Sequence, residues 1–226
     1  MSEIFQFLSL GGVLMIPIGL CAVVGLTIFI ERYWLIRSKK VLPPQFVQRI
    51  ERLIQEKRWK ETTNLCASSE SAYSAVVQGG LRYAGQGQES VRAGMEVAGR
   101  RVNDMLERYL GLMGAAASVA PLLGLLGTVT GMIQVFQEAE ETLRLYGDVQ
   151  PAQLASGIWT ALMTTAAGLT VAIPIFLGFK FLEGKIDRIV SELEIRSEAI
   201  VDQIAESSEV HSERPEEVEA QPLLET

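Results

Sequence analysis

Six threonines stand in two stretches of the chain that hold no Asp, Glu, Lys, Arg or His. Thr128 and Thr130 lie in one, and Thr160, Thr164, Thr165 and Thr170 in the other. A hydroxyl both donates and accepts a hydrogen bond. In an apolar setting it can hold a carboxylate, a water chain or a desolvated cation. It can also bond back to a carbonyl three or four residues earlier in its own helix and do nothing else. Six hydroxyls on two stretches, against Thr27 alone in the first apolar stretch, point to a shared and partly polar surface. Other chemistry is thinly supplied. His211 is the only histidine, and neither Cys21 nor Cys66 has a metal-like neighbour, so neither a triad nor a metal cluster can be assembled. Gly85-Gln86-Gly87 reads as a turn rather than a phosphate-binding loop. No residue set supports an enzyme, and no cofactor, metal or nucleic acid is expected.

The elements that position these hydroxyls are legible from charge. The composition, 48% hydrophobic and 21% charged, would suit a soluble domain, so the distribution decides. Ile4–Ile30, Tyr109–Gln137 and Val149–Phe179 contain no charged residue. Each exceeds the roughly 20 residues needed to cross a bilayer. Transmembrane helices are predicted near 8–30, 112–135 and 155–179. The first is expected to be retained rather than cleaved. Glu3 replaces a basic leader, and Glu31-Arg32-Tyr33-Trp34 follows as an interfacial belt. In lipid, helices gain nothing from hydrophobic burial against each other, and small residues help by letting backbones approach. Gly124, Gly127 and Gly131 form such a face, as do Gly157, Ala161, Thr164, Gly168 and Ala172, so these two spans are expected to pack tightly. None of the three runs holds an ionisable residue, which an ion pathway usually requires. Either the chain moves no ions, or a partner helix brings the titratable group.

Lysines and arginines set the expected orientation. Nine of them, from Arg32 to Lys60, follow the first span, and Lys180, Lys185 and Arg188 follow the third. The connection after the second span has Glu138, Glu140, Glu141 and Asp148 against Arg144. Positive-inside logic places 31–108 and 180–226 in the cytoplasm and the N-terminus and 138–152 outside. Division of the chain follows: 1–30 outward N-terminus and first span, 31–108 cytoplasmic helices, 109–137 second span, 138–152 outward loop, 153–179 third span, 180–205 cytoplasmic helix. From 206 to 226 seven glutamates and one arginine make a polar tail, read as disordered, which accounts for most of the formal net charge of −7. Pro43-Pro44 starts a helical region, with loops expected at Gly79-Gly80 and Gly85–Gly87 and a helix from Val91 running into the second span. That region looks too poor in apolar residues for a rich core of its own. Ile186, Val190, Leu193, Ser197, Ile200 and Ile204 form a heptad-like stripe, which suits packing either on the same subunit or against copies of itself.

"APLLGLLGTVTGMI" (120–133) and "GIWTALMTTAAGLTVAIP" (157–174) resemble the paired signatures of the MotA/TolQ/ExbB proton-channel family, and "GGVLMIPIGLCAVVGLTIFIERYW" (11–34) resembles the first span of its ExbB branch. The resemblance implies an all-α fold. Three transmembrane helices, two of them extended into the cytoplasm, would assemble as a homopentameric sleeve in the bacterial inner membrane. It implies an ExbD- or TolR-like single-span partner, as a dimer inside the ring, whose aspartate is protonated by proton motive force. Work would pass to a TonB- or TolA-like protein. Thr128 and Thr165 match the family's pore threonines, with Thr130 and Thr160 placed on the same pathway. Pro121 and Pro174 match its helix prolines, each of which removes a backbone hydrogen bond and can free a carbonyl or kink the helix. One departure stands out: many ExbB and TolQ proteins read "GIAEAL" where this chain has "GIWTAL", so Thr160 replaces a glutamate. ExbB-type energising of outer-membrane transport, a TolQ-type role in envelope maintenance, a sodium-driven relative and a passive scaffold all remain open at this point.

Overall fold

A computed structural model describes residues 13–36, 41–69, 71–148 and 151–206. The N-terminus expected to face outward, the start of the first span and the acidic tail with His211 lie outside the described residues. Those described form seven helices: α1 Met15–Leu35, α2 Pro44–Gln55, α3 Trp59–Ala67, α4 Ala72–Leu81, α5 Gln88–Glu107, α6 Leu110–Tyr146 and α7 Pro151–Ala205. Three of them, α1, α6 and α7, are long and apolar enough to cross a membrane. The chain divides into two compact units, one made from residues up to 35 and from 107 to 185, the other from 36 to 106 and from 186 onward. Helix α7 contributes to both.

In the membrane unit α6 outruns its apolar stretch. The helix continues past Gln137 to Tyr146, so most of the expected outward loop is helical. Gly147 ends it in the left-handed region, with φ 74°, and its amide donates to the Leu143 carbonyl at 2.9 Å. This is the glycine C-cap that an α-helix favours. The other end also departs from expectation. The helix from Val91 does not run into the second span: α5 stops at Glu107, and Tyr109 takes φ 68° before α6 begins. A non-glycine residue with positive φ is strained. Here Tyr109 lies beneath two guanidinium groups, described below.

The second unit has a core of its own, which apolar content alone did not suggest. Ile50 and Ile54 of α2, Cys66 of α3, Tyr73 and Val77 of α4 and Val91 of α5 are all buried. The α7 stripe supplies the remaining wall: Ile186, Leu193, Ser197, Ile200 and Ile204 are buried within the same chain. Of the two ways to use that stripe, own-subunit packing is the one observed. Gly79-Gly80, expected as a loop, is inside α4. A Cβ on Gly79 would lie 2.6 Å from the Gly94 carbonyl oxygen, so these glycines serve close crossing of α4 and α5 rather than a turn. The turn at Gly85 and Gly87 is as expected, with φ 76° and 92°. Polar ties finish the unit. Arg196 of α7 donates to Glu51 of α2 at 3.0 Å and to Glu192 at 3.1 and 3.0 Å, Arg92 pairs with Glu198, and Gln88 donates to Asp202 at 2.5 Å.

Burial pushes the Cys66 thiol up from its ordinary 9.0 to about 12. Burial also raises the Tyr73 phenol, helped by the nearby Glu51 carboxylate. Both groups stay protonated in the folded unit at pH values where the unfolded chain would ionise. The thiol's contribution to stability is complete below about 9 and is lost as pH climbs toward 12, and the phenol's begins to be lost only above about 10, each at up to about 1.4 kcal/mol per pH unit. We expect Cys66→Ala to flatten the alkaline half of the stability profile followed by urea denaturation. We expect the wild-type thiol to resist maleimide at pH 8 until the unit unfolds.

Candidate functional site

Helices α6 and α7 run antiparallel along a line of small residues. Going toward the C-terminal end of α6, a Cβ on Gly124 would meet the Thr164 carbonyl oxygen at 2.9 Å. One on Gly127 would meet Thr164 Cγ2 at 2.6 Å, and one on Gly131 the Ala161 Cβ at 2.9 Å. From the other side, a Cβ on Gly168 would stand 2.6 Å from the Ala120 carbonyl oxygen and 3.1 Å from the Gly124 Cα. At Gly124 and Gly168 glycine is required because the opposing atoms are backbone and cannot move aside, whereas Gly127 and Gly131 face the short side chains of Thr164 and Ala161. Gly124, Gly127, Gly131 and Gly168, the residues expected to form the small-residue face, all stand on this line.

The close approach allows a hydrogen bond from side chain to backbone across the pair. Thr165 Oγ1 donates across to the Gly124 carbonyl at 2.9 Å. The other hydroxyls bond within their own helices. Thr128 donates to Leu125 at 2.7 Å, Thr130 to Leu126 at 2.9 Å, Thr160 to Ser156 at 3.1 Å and Thr170 to Ala166 at 2.7 Å. Thr164, buried at the contact line, donates to Ala161 at 3.0 Å. Five of the six therefore show the local pattern, and Thr165 alone links two helices.

Helical geometry separates the four threonines placed together by sequence. Successive residues turn by about 100°. Thr128 follows Gly127 and Thr165 follows Thr164, so each stands about 60° to one side of the contact line. Because the helices are antiparallel, that is the same side, and the Thr165–Gly124 bond, directly below Thr128, agrees. Thr130 and Thr160 fall on the opposite side, which is also the side of Leu123 and Ala167. There α1 packs: Met15 and Ile18 form a buried cluster with Ala167, against Leu123 and Val171. The Thr128–Thr165 flank is left open among the described residues, with Leu125, Leu162 and Leu169 exposed beside it. Pro121 lies seven residues before Thr128 on the same stripe, half-buried, and removes the amide that would bond the Ala117 carbonyl. Pro174 lies inside α7 and is exposed. Sequence reasoning missed the split into two flanks, although a helical wheel drawn on the Gly127–Thr164 contact would have shown it. It also missed the Gly124 carbonyl as a partner, which no residue type announces.

These features define a multi-pass helical membrane protein whose tightly packed helix pair carries hydroxyls on an open flank. Residues 68–195, more than half of the chain, match the MotA/TolQ/ExbB proton channel family, and the chain belongs to that family. It is 33% identical over 185 residues to putative biopolymer transport protein ExbB-like 1 of Synechocystis sp., covering 78% of this chain and 69% of that one. It is 25% identical over 193 residues to a putative biopolymer transport protein ExbB homolog of Methanothermobacter thermautotrophicus, covering 85% and 67%. It is also 30% identical over 133 residues to the Tol-Pal system protein TolQ of Haemophilus influenzae, covering 58% and 51%.

The packing makes a sharp contrast between glycines. Gly168→Val should drive a side chain into the Ala120 carbonyl and destabilise the helix pair by about 1–3 kcal/mol or more, as overpacking does. Gly111→Ala, in the same unit with nothing within 4 Å of the added carbon, should be neutral or slightly stabilising. Thermal unfolding of the detergent-extracted variants checks both, and equal losses would discredit the backbone-contact account.

Proposed function

We propose that the chain is the ion-channel subunit of an ExbB–ExbD-type motor, which uses proton motive force to energise TonB-dependent outer-membrane transport. The observation that carries this is the open Thr128–Thr165 flank on a helix pair with no acid of its own at membrane depth. A homopentamer turning this flank inward makes a sleeve of apolar groups and hydroxyls around a dimeric, single-span ExbD- or TolR-like partner. The partner supplies the aspartate. Because each hydroxyl proton is committed to a backbone carbonyl, the sleeve offers mainly oxygen lone pairs, which favour the protonated acid over the carboxylate. Discharge of the proton then changes the contact, and the resulting motion reaches a TonB- or TolA-like protein. In this reading the protein sits in the bacterial inner membrane, N-terminus periplasmic and C-terminus cytoplasmic. It is not an enzyme. Thr128 and Thr165 line the ion path, and Thr130 and Thr160 stand at its outward end on the other flank.

Similarity to TolQ of Haemophilus influenzae supports a second reading with the same machinery, in which the role is envelope maintenance. Dependence of nutrient uptake through TonB-linked receptors on the gene separates the two. Thr128→Val is the cleaner probe of the pathway, since its hydroxyl bonds only within α6. We expect intact oligomers and about ten-fold lower partner-dependent proton flux in proteoliposomes, the upper end of the scale of one lost hydrogen bond between neutral groups. Thr165→Val should lower flux similarly but also loosen assembly. Undiminished flux in both variants would leave a scaffold as the better description.

A further inference from the structure

At one end of the membrane unit every cation that meets a ring does so in the same belt. Lys185 Nζ lies 5.4 Å from the Tyr33 ring centroid and Lys180 Nζ 5.3 Å from that of Phe179. The Arg32 and Arg108 guanidinium carbons lie 5.4 and 4.9 Å from the centroid of Tyr109, the strained residue before α6. These are the four cation–ring contacts among the described residues. The charges differ in what else they meet. Lys180 is neutralised by Glu183 at 2.6 Å, and Arg32 is buried, with Glu31 at 3.7 Å. Among the described residues, Lys185 and Arg108 make ring contacts without a carboxylate.

Lys185 crowns a small built surface. Tyr33 stacks on Phe29 at 5.9 Å and meets Phe181 at 6.4 Å. Phe29 is seated against Gly178, where a Cβ would stand 2.9 Å from its ring, so the glycine fixes the aromatic ladder in place. Tyr33 is 49% and Phe181 55% exposed, and both belong to helices that enter the bilayer. The surface thus offers an ammonium and a phenol at its polar end and exposed aromatic carbon leading into the apolar span. An anion alone would use only the first of these, and an acyl chain only the second.

We infer that the Lys185–Tyr33–Phe181 surface is a binding site for an anionic phospholipid, with the phosphate at Lys185 and the acyl chain along Phe181 and Phe29. Charge complementarity and continuity with the spans carry the assignment. Its placement in the cytoplasmic leaflet rests on the orientation proposed above, but the binding itself does not, so the two can fail separately. The test uses the full chain in uncharged detergent, with phosphatidylglycerol, phosphatidylcholine or glycerol 3-phosphate added and binding read by native mass spectrometry. Phosphatidylglycerol should bind in preference to phosphatidylcholine, and Lys185→Gln should cost about five-fold of that preference, the scale of one cation at an anionic surface. Lys185→Arg should keep it, and Arg82→Gln, in the other unit, should leave it untouched. Equal binding of the two lipids would overturn the assignment. So would equal effects of Lys185→Gln and Arg82→Gln, or saturation by glycerol 3-phosphate alone.

Discussion

The approach of the α7 backbone at Gly168 to the Ala120 carbonyl is the constraint on which the membrane unit rests. With only van der Waals contact and hydrogen bonding to hold helices in lipid, a pair kept apart by ordinary side chains would have little to gain from pairing. At glycine separation the two backbones touch directly, and the Thr165 hydroxyl spans the gap to Gly124. That bond is worth about 0.6 kcal/mol by the average of such bonds in membranes. Its larger effect is on register, because a slide of one residue would remove both the bond and the glycine-to-backbone contacts. The register in turn fixes which flank Thr128 and Thr165 share.

Hydroxyl protons at membrane depth have few places to go. A group left without a partner in hydrocarbon costs several kcal/mol, so each threonine spends its proton on a carbonyl. This local bonding is the ordinary behaviour of such residues, and taken one at a time it argues against any role. Taken together it has a consequence for whatever approaches. Oxygens whose protons are committed act as acceptors, so the open flank is matched to a donor such as a protonated carboxyl, and poorly matched to a bare carboxylate. Local satisfaction and a place on an ion path are therefore compatible.

How much of this could be read in the sequence follows from the range of each interaction. The spans were legible because charge-free runs depend on composition alone. The glycine contacts were legible because spacing along one helix shows which residues share a face. What escaped needed a second helix. Which of the two flanks is covered and which stays open depends on where α1 settles, against Leu123 and Ala167, and no pattern within α6 or α7 contains that fact. The core of the second unit was underestimated for the same reason: Ile186, Ile200 and Ile204 lie more than a hundred residues from Ile50 and Ile54, and counting 31–108 by itself left them out. Conversely, Gly79-Gly80 looked like a loop because glycine pairs usually are, and only the Gly94 carbonyl opposite shows why a helix keeps them.

The replacement of a glutamate-like position by Thr160 is less damaging to an ion path than the sequence suggested. Position 160 stands on the α1 side of the helix pair, about 140° around α7 from Thr165. Its hydroxyl is closed onto Ser156 in its own helix. A carboxylate there would carry a desolvation cost that a threonine does not, and charges within spans are tolerated mainly where water or a partner reaches them. A cavity of about 500 Å³ does open one turn further out, between Ser156 and Gly157 on α7 and Glu138 and Glu141 on α6. Carboxylates thus stand just beyond the apolar span, where water can solvate them, and the span keeps only hydroxyls. With the chain's acids held at the mouth, any acid at the depth of Thr128 and Thr165 has to arrive on another polypeptide. In the proposed sleeve, that division would leave the wall electrically neutral whatever the state of the path, and the partner's proton would be the only charge that changes inside it.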